Sequence, residues 1–236
     1  MRLIFVRHGE PNYKDDCLTD NGIIQAKATA ERLRNENISA IYSSPMGRAR
    51  QTASFTAEQK GLDINVLDYM HEIDWGNPNP DMVSEEDKLP HDGHPWTMAY
   101  MLITEHPEYS GNENWREHHY FKDNKCLKFY DMISEEFDLF LERFGIVRRD
   151  GVYFCEKENH DTIALFAHGG SGAIMFSHIL GLPFPFVLSN MPYGVCSVSI
   201  IDFSEFEGNY ITPRVELFND MNHLTIYKPE KMNFEK

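Results

Sequence analysis

The amino-acid sequence predicts an α/β fold built on a mostly parallel sheet, with an inserted segment that forms a cap. Two apolar runs, residues 3–6 and 162–167, consist of strand-forming residues, as buried parallel strands do. Strand and helix patterns alternate from residue 3 to residue 67, which is the order expected of a parallel α/β sheet. Between about residues 77 and 128 this pattern is interrupted, and there we expect the inserted segment.

The two apolar runs end in similar polar residues. The first run stops at Arg7 and His8, and the second stops at His168. In open α/β sheets ligands bind at the carboxyl ends of the strands. We therefore expect the two histidines to meet at one edge of the sheet, although 160 positions separate them.

Helix and turn signals define the next elements. Thr19 is a predicted N-cap of a helix that residues 35–37 end. Pro45 is expected in the first turn of a second helix, where its missing N–H costs little, and Gly61 stops that helix. The ranges predicted here are strands at 40–42 and 64–67 and a helix from residue 43 to about residue 60.

The stretch from Asn77 to about Lys128 has a different character. Five prolines break any long regular element, and six aromatic residues supply apolar surface. We predict a helix near residues 97–105 within it. The elements predicted after it are helices at 129–144 and 171–180 and strands at 151–155, 162–167, 195–203 and 210–218.

Charge and composition restrict the partners. The 37 acidic residues outnumber the 22 basic ones, for a net charge of −15 with neutral histidines. Neither nucleic acid nor a membrane surface is expected as a partner, because both need a basic face. The amino terminus lacks the apolar segment of a signal peptide, so we expect a cytoplasmic protein with reduced cysteines. A homodimer is left open.

Four short motifs carry a more specific signal. They are Arg7-His8-Gly9-Glu10, Leu18-Thr19-Asp20-Asn21-Gly22 with Gln25-Ala26, residues 42–53 around Arg48, and Phe166-Ala167-His168-Gly169-Gly170. In this order they resemble the histidine phosphatase superfamily, also called the phosphoglycerate mutase-like family. The resemblance implies a three-layer α/β/α sandwich: a single domain over residues 1–236 with a cap insertion at about 77–128.

The resemblance also assigns roles to individual residues. It implies that His8 becomes phosphorylated and that Arg7, Arg48 and His168 hold the phosphoryl group, with Gly169 as a further substrate-binding candidate. A neutral imidazole can form a covalent intermediate with phosphorus, and guanidinium groups match phosphate oxygens. His168, if protonated, would add positive charge.

The general acid has two candidates. Glu72 follows the third strand and resembles the family's acid, a glutamate followed four positions later by a glycine, here Gly76. Asp74 is the rival, two residues further on. The spacing to Gly76 favours Glu72.

The opening motif is followed by departures from the family pattern. The family's threonine and asparagine positions are occupied by Pro11 and Lys14. Either Asn12 or Lys14 could still contact the phosphate, and Asn12 is the substrate-binding candidate. Glu10 is expected to brace the site rather than to react. Arg50 is expected to be a surface cation, because it faces away from Arg48 on a helix.

No metal or cofactor is expected. The five histidines of the insertion, at positions 91, 94, 106, 118 and 119, lack the helical spacing of a zinc-protease motif. The resemblance likewise implies a metal-free reaction, and we expect two arginines and His168 to supply the positive charge that a metal would otherwise bring.

The function that the sequence favours is hydrolysis of a small phosphomonoester through a phosphohistidine. A cofactor-dependent phosphoglycerate mutase and a non-catalytic phospho-ligand-binding protein are the alternatives. After Gly76 the sequence Asn77-Pro78-Asn79-Pro80 does not resemble the mutase motif. We expect the insertion to choose the organic half of the substrate, with a surface loop or an oligomer contact as the alternative. Its excess of acid favours a monophosphate with a neutral or cationic organic part.

Overall fold

The computed structural model describes residues 1–111 and 114–224. Its strands, in chain order, are β1 (Arg2–Arg7), β2 (Pro11–Asn12), β3 (Cys17–Leu18), β4 (Ile38–Ser43), β5 (Ile64–Val66), β6 (Ile146–Arg149), β7 (Val152–Cys155), β8 (Thr162–Ala167), β9 (Val198–Asp202), β10 (Tyr210–Ile211) and β11 (Arg214–Asp220). Its α-helices are α1 (Asp20–Arg32), α2 (Gly47–Lys60), α3 (Pro95–Glu105), α4 (His119–Lys122), α5 (Cys126–Glu142), α6 (Gly169–Leu180) and α7 (Phe184–Asn190). None of the helices in these described ranges is long and apolar enough to cross a membrane.

The central sheet has six strands in the order β11-β9-β1-β8-β4-β5. Strands β1, β8, β4 and β5 run parallel, whereas β9 and β11 are antiparallel additions at one side. Strand β8 thus lies between β1 and β4 and places Ala167 opposite Arg7. The predicted mostly parallel sheet is confirmed, and so is the meeting of the two apolar runs.

Helices cover both faces of this sheet. Successive residues of a strand point to opposite faces. Ile41 of β4 lies in one apolar cluster with Ala53 and Ala57 of α2. Its neighbour Tyr42 packs edge-on against Phe140 of α5, with ring centroids 4.8 Å apart. The sheet is therefore the middle layer of the predicted α/β/α sandwich.

Two predicted helix ends are seen directly. The Thr19 side chain accepts a hydrogen bond from the Gly22 N–H and caps α1. Gly61 takes a left-handed backbone (φ 64°, ψ 35°) at the end of α2, which a residue with a Cβ adopts only at a cost.

Some predicted boundaries were wrong. Helix α2 begins only at Gly47, and Pro45 lies before the helix rather than in its first turn. Strand β9 starts at Val198 instead of residue 195, because Cys196 has a positive φ of 54°. The stretch 210–218 splits into β10 and β11, with Pro213, which has no N–H to donate to a ladder, in the break.

The elements β2, β3, β6, α4 and α7 were not predicted, and the range predicted for α6 was too short. Strand β6 forms a hairpin with β7 across Asp150 and Gly151, which both have positive φ, as a tight hairpin turn requires. Helix α7 was not predicted at all. Helix α6 begins at Gly169, two residues earlier than expected.

The chain divides into two compact units. The first consists of Met1–Glu72, Glu136–Gly172 and the described residues from Tyr193 onward, and it contains the central sheet. The second consists of Ile73–Glu135 and Ala173–Pro192, and it includes the stretch 77–128. That this stretch caps a site stays a prediction.

The second unit has its own aromatic core. Trp115 contacts the rings of Phe121, Tyr130 and Phe184 at centroid distances of 5.1–5.8 Å, and all four side chains are buried. Asn124 is buried beside them and uses its whole amide. Its Oδ1 accepts from the Gly76 and Cys126 N–H groups, and its Nδ2 donates to two backbone carbonyls, those of Gly93 and Tyr120.

Candidate active site

The two histidines lie at adjacent strand ends in the first unit. His8 follows β1 and His168 follows β8, and the His8 N–H donates to the Ala167 carbonyl over 2.9 Å. Their ring centroids are 5.1 Å apart and both side chains are buried. The parallel pairing of the two strands thus brings together residues that are far apart in the sequence.

The tautomer of His8 is set by its neighbour. Its Nδ1 lies 2.7 Å from the Gly9 carbonyl oxygen, which can only accept, so Nδ1 carries the proton. Burial, together with the Arg7 guanidinium, lowers the pKa of His8 to about 3. At neutral pH His8 is therefore uncharged, with the lone pair on Nε2, as a nucleophile requires.

His168 is anchored on one side only. Its Nε2 lies 2.6 Å from the Ser44 hydroxyl oxygen, while its buried Nδ1 has no hydrogen-bond partner among the described residues. Burial, with His8 and Arg48 close by, lowers the pKa of His168 far below its ordinary value. The ring is neutral, so it offers a hydrogen bond and not the positive charge considered above.

The two arginines supply the charge. Arg7 donates from Nη1 to the Tyr193 carbonyl over 2.9 Å, and its buried Nε is without a partner in the described chain. Arg48 is 4 % exposed, and its Nε lies 3.4 Å from Nε2 of His8. Buried polar groups are normally paired, so the open nitrogens of Arg7 and His168 indicate a place for a polar ligand.

Asp16 is a functional candidate that the sequence did not reveal. Its Oδ1 lies 2.5 Å from Nη1 of Arg48, and its Oδ2 accepts from the Gly47 N–H over 2.6 Å. Burial opposes the charge, but the hydrogen bonds from Gly47 and Arg48 outweigh it and lower the pKa of Asp16. No periodicity links a loop carboxylate to an arginine 32 positions away, so a sequence pattern could not have found it.

Glu72 and Asp74 occupy different surroundings. Glu72 Oε1 accepts from the N–H groups of Gly170 and Ser171 at the start of α6, over 2.9 and 3.3 Å. Asp74 belongs to the second unit, where its carboxylate pairs with Lys125 over 3.1 Å. The structure therefore joins Glu72 to the segment that carries His168.

Polar side chains of the loop after the opening motif form hydrogen bonds within the loop. Asn12 donates from Nδ2 to Asp15, and its Oδ1 accepts from the Lys14 N–H. The structure does not bring the Asn12 amide to the histidine pair, and a role in substrate binding stays a prediction. Glu10 accepts a hydrogen bond from the Thr19 hydroxyl at the start of α1, and its expected role in bracing the site stays a prediction.

The remaining site candidates lie as follows. Gly169 opens α6, and its carbonyl accepts from the Tyr193 hydroxyl over 2.5 Å. Gly172 lies close to the sheet: an added Cβ would come within 2.3 Å of the Phe5 ring. Arg50 is exposed, as predicted. Across residues 1–111 and 114–224, no group of three or more His, Cys, Asp or Glu side chains is placed to hold a metal ion.

The sequence is similar to proteins of known family. The sequence model of the histidine phosphatase superfamily (branch 1) matches residues 3–214. Phosphoserine phosphatase 1 of Hydrogenobacter thermophilus is 36% identical over 124 residues, which is 48% of this chain and 57% of that protein. The probable phosphoglycerate mutase GpmB of Salmonella choleraesuis is 25% identical over 233 residues, 95% of each chain.

A solved structure shares the fold. A phosphoserine phosphatase from Entamoeba histolytica, crystallised with phosphoserine, aligns with a TM-score of 0.60 at 18% identity. The alignment covers 94% of this chain and 98% of that one.

Proposed function

The chain belongs to the histidine phosphatase superfamily (branch 1), and we propose that it hydrolyses a small phosphomonoester through a phosphohistidine on His8. The observation that carries the proposal is the pair of neutral histidines at adjacent strand ends, with Arg7 and Arg48 beside them. Two guanidinium groups and two imidazoles match the charge and the hydrogen-bonding needs of a phosphoryl group.

In the first step His8 attacks the phosphorus atom. Its Nε2 lone pair forms the N–P bond while the bond from phosphorus to the ester oxygen breaks. Arg7, Arg48 and His168 hold the phosphoryl oxygens, and charge on these oxygens is stabilised by donors already in place. Glu72 supplies the proton that the leaving alkoxide needs.

In the second step water replaces the imidazole. Glu72, now a carboxylate, takes a proton from the water molecule, whose oxygen forms a new bond to phosphorus. The N–P bond breaks, the electron pair returns to Nε2 of His8, and inorganic phosphate leaves. The two backbone hydrogen bonds to Glu72 support this role, because they fix one carboxylate oxygen throughout.

For the substrate we propose a small monophosphate, with phosphoserine the first to assay. Phosphoserine phosphatase 1 is named for this substrate, and 36% identity over about half of the chain supports the same class. A cytoplasmic location, a homodimer and the absence of nucleic-acid partners stay predictions from the sequence.

We also propose that residues 77–128 select the organic part of the substrate. The phosphate-holding side chains contact only what all phosphomonoesters share, so discrimination needs other groups. In this stretch His94 and Trp96 pack together with ring centroids 5.5 Å apart, and Trp75, just before the stretch, lies 5.1 Å from His94. Trp96→Ala should alter the preference order across natural monophosphates, whereas Tyr100→Ala on the same helix should not. An unchanged order in the Trp96 variant would place specificity elsewhere.

Phosphoglycerate mutase activity is the second candidate, because the similarity to the probable mutase covers 95% of both chains. One assay separates the two. With 3-phosphoglycerate a phosphatase releases inorganic phosphate, whereas a mutase yields 2-phosphoglycerate without net release.

The direct test of the proposed function is hydrolysis of an aryl phosphate by the purified protein, before and after dialysis against a chelator. We expect phosphate release in both samples, because two arginines already supply positive charge. Activity that is lost on dialysis and restored only by a divalent ion would overturn the metal-independent reaction. No hydrolysis of any monophosphate would overturn the function itself.

A further inference from the structure

We propose that Asp16 is a positioning residue that holds Arg48 in the orientation needed to grip the phosphoryl group. The inference rests on the proposed function, because it concerns the same site. Among the described residues, the Asp16 carboxylate makes its hydrogen bonds to Arg48 and to the Gly47 N–H and none to His8 or His168, so Arg48 is the side chain that it can orient.

The contacts of Arg48 divide its guanidinium group into two parts. Nη1 is bound to Asp16 over 2.5 Å, whereas Nε lies 3.4 Å from the nucleophilic Nε2 of His8. Nη2, on the same edge as Nε, has only the weak acceptor Sδ of Met46 at 3.4 Å. Asp16 thus takes one nitrogen and leaves the Nε/Nη2 edge for two oxygens of the phosphoryl group, in a bidentate grip.

Asp16 is itself fixed from the backbone. Its second oxygen accepts from the N–H of Gly47, the first residue of α2, over 2.6 Å. The Asp16 backbone adopts a positive φ of 47°, a conformation that is costly for residues other than glycine, asparagine and aspartate. Gly47 lies against this turn, since a Cβ there would come within 2.2 Å of the Asp16 carbonyl oxygen. These contacts favour a single rotamer of the Asp16 side chain.

The main competing interpretation is that the Asp16 carboxylate occupies a place that phosphate would otherwise take. The two interpretations predict opposite signs. If Asp16 positions Arg48, its removal weakens anion binding; if it competes, its removal strengthens anion binding. The fixed carboxylate and the open Nε/Nη2 edge favour positioning.

Asp16→Asn tests the charge with little other change. Asparagine tolerates the left-handed backbone and can still accept from the Gly47 N–H, but it lacks the charge that pairs with Arg48. We expect the dissociation constant for orthovanadate, measured by calorimetry, to rise about tenfold. Asp16→Gly relieves the backbone strain at this position and removes the side-chain bonds to Arg48 and Gly47, so it should weaken orthovanadate binding at least as much. It replaces the asparagine variant if that variant does not fold. Asp15→Asn is the matched control, with the same charge change in the same loop.

A double-variant cycle shows whether Asp16 acts through Arg48. Arg48→Lys keeps a positive charge but has no planar fork to orient. In that background Asp16→Asn should weaken orthovanadate binding less than about twofold further, because residues that act together are not additive. A merely structural role of Asp16 would lower binding equally in both backgrounds and would overturn the inference. So would tighter binding, or unchanged binding, in Asp16→Asn alone.

The binding assay also separates this inference from the proposed function. If the variants show the expected binding pattern but the wild-type protein hydrolyses no monophosphate, the positioning role of Asp16 stands and the proposed phosphatase function is overturned. If the wild-type protein hydrolyses aryl phosphate and Asp16→Asn keeps its orthovanadate affinity and its kcat/KM, the proposed function stands and the inference about Asp16 is overturned.

Discussion

The His8 and His168 ring centroids lie 5.1 Å apart, and one nitrogen of each ring is anchored by a neighbouring oxygen atom. His8 is held by the Gly9 carbonyl and His168 by the Ser44 hydroxyl. Because each ring uses one nitrogen for this anchor, the other nitrogen is left for the phosphoryl group. The anchors should therefore matter for the rate.

Ser44→Ala removes the anchor of His168. The ring then loses its orienting partner, and we expect kcat for an aryl phosphate to fall about tenfold, since small misplacements of catalytic groups are costly. Ser39→Ala, at an exposed position of β4, the strand that Ser44 follows, is the matched control. Unchanged kinetics in the Ser44 variant would show that His168 needs no such support.

Glu72→Gln separates the two candidates for the general acid. Glutamine keeps the shape and can still accept from the Gly170 N–H, but it cannot exchange a proton. We expect a loss in kcat of about a hundredfold or more for an alkyl phosphate, and a smaller loss for an aryl phosphate with a good leaving group. Asp74→Asn should stay within about twofold of wild type, because its exposed pair with Lys125 contributes little. The opposite ranking would assign the acid to Asp74.

Asn124→Ala tests the buried amide of the second unit. The change leaves the Gly76 N–H and the carbonyls of Gly93 and Tyr120 without this partner. We expect the free energy of unfolding to fall by about 2–4 kcal/mol. All three tryptophans lie between residues 75 and 115, so urea unfolding followed by tryptophan fluorescence reports on this unit. The exposed Asn37→Ala is the control, and an equal effect in both variants would contradict the prediction.

The buried histidines make stability depend on pH. His8 and His168 have folded-state pKa values below the ordinary value of 6.5, so the unfolded chain binds protons that the folded chain does not. The free energy of unfolding is then highest above pH 6.5. Below that pH it falls as the pH decreases, by up to ~1.4 kcal/mol per pH unit for each histidine. Urea unfolding at pH 7 and pH 5 measures this fall, and His8→Ala should reduce it. Equal stability at both pH values would show that these rings titrate normally.

The sequence was sufficient for the parts of the site that are carried by strand ends. His8, Arg7 and His168 could be placed because a buried parallel strand has a recognisable composition and its carboxyl end has a known use. The role of Asp16 could not be predicted, because it depends on a loop folding back on the start of α2. Ser44 lay inside a recognised motif, yet its contact with His168 needs the three-dimensional pairing of β4 with β8.

The fold was predicted well for long elements and poorly for short ones. One arm of the β6–β7 hairpin was predicted, at residues 151–155, but β6 was missed although the Asp150-Gly151 pair is a hairpin-turn signal. Helix α7 is only seven residues long and begins with Phe184 and Pro185, so it has too few turns for a helical period to show. The six-stranded order, with β8 between β1 and β4, depends on pairings between distant segments that local patterns do not encode.

The central claim is that His8 carries the phosphoryl group during turnover. Intact-mass analysis of protein quenched in alkali during hydrolysis of an aryl phosphate tests it most directly. We expect one phosphoryl adduct on the wild-type chain, mapped to His8 by peptide sequencing, and the same adduct on His160→Ala, whose side chain is 85% exposed. His8→Ala should show no adduct and should lose activity about a thousandfold or more. An adduct on another residue, or full activity in His8→Ala, would contradict the account.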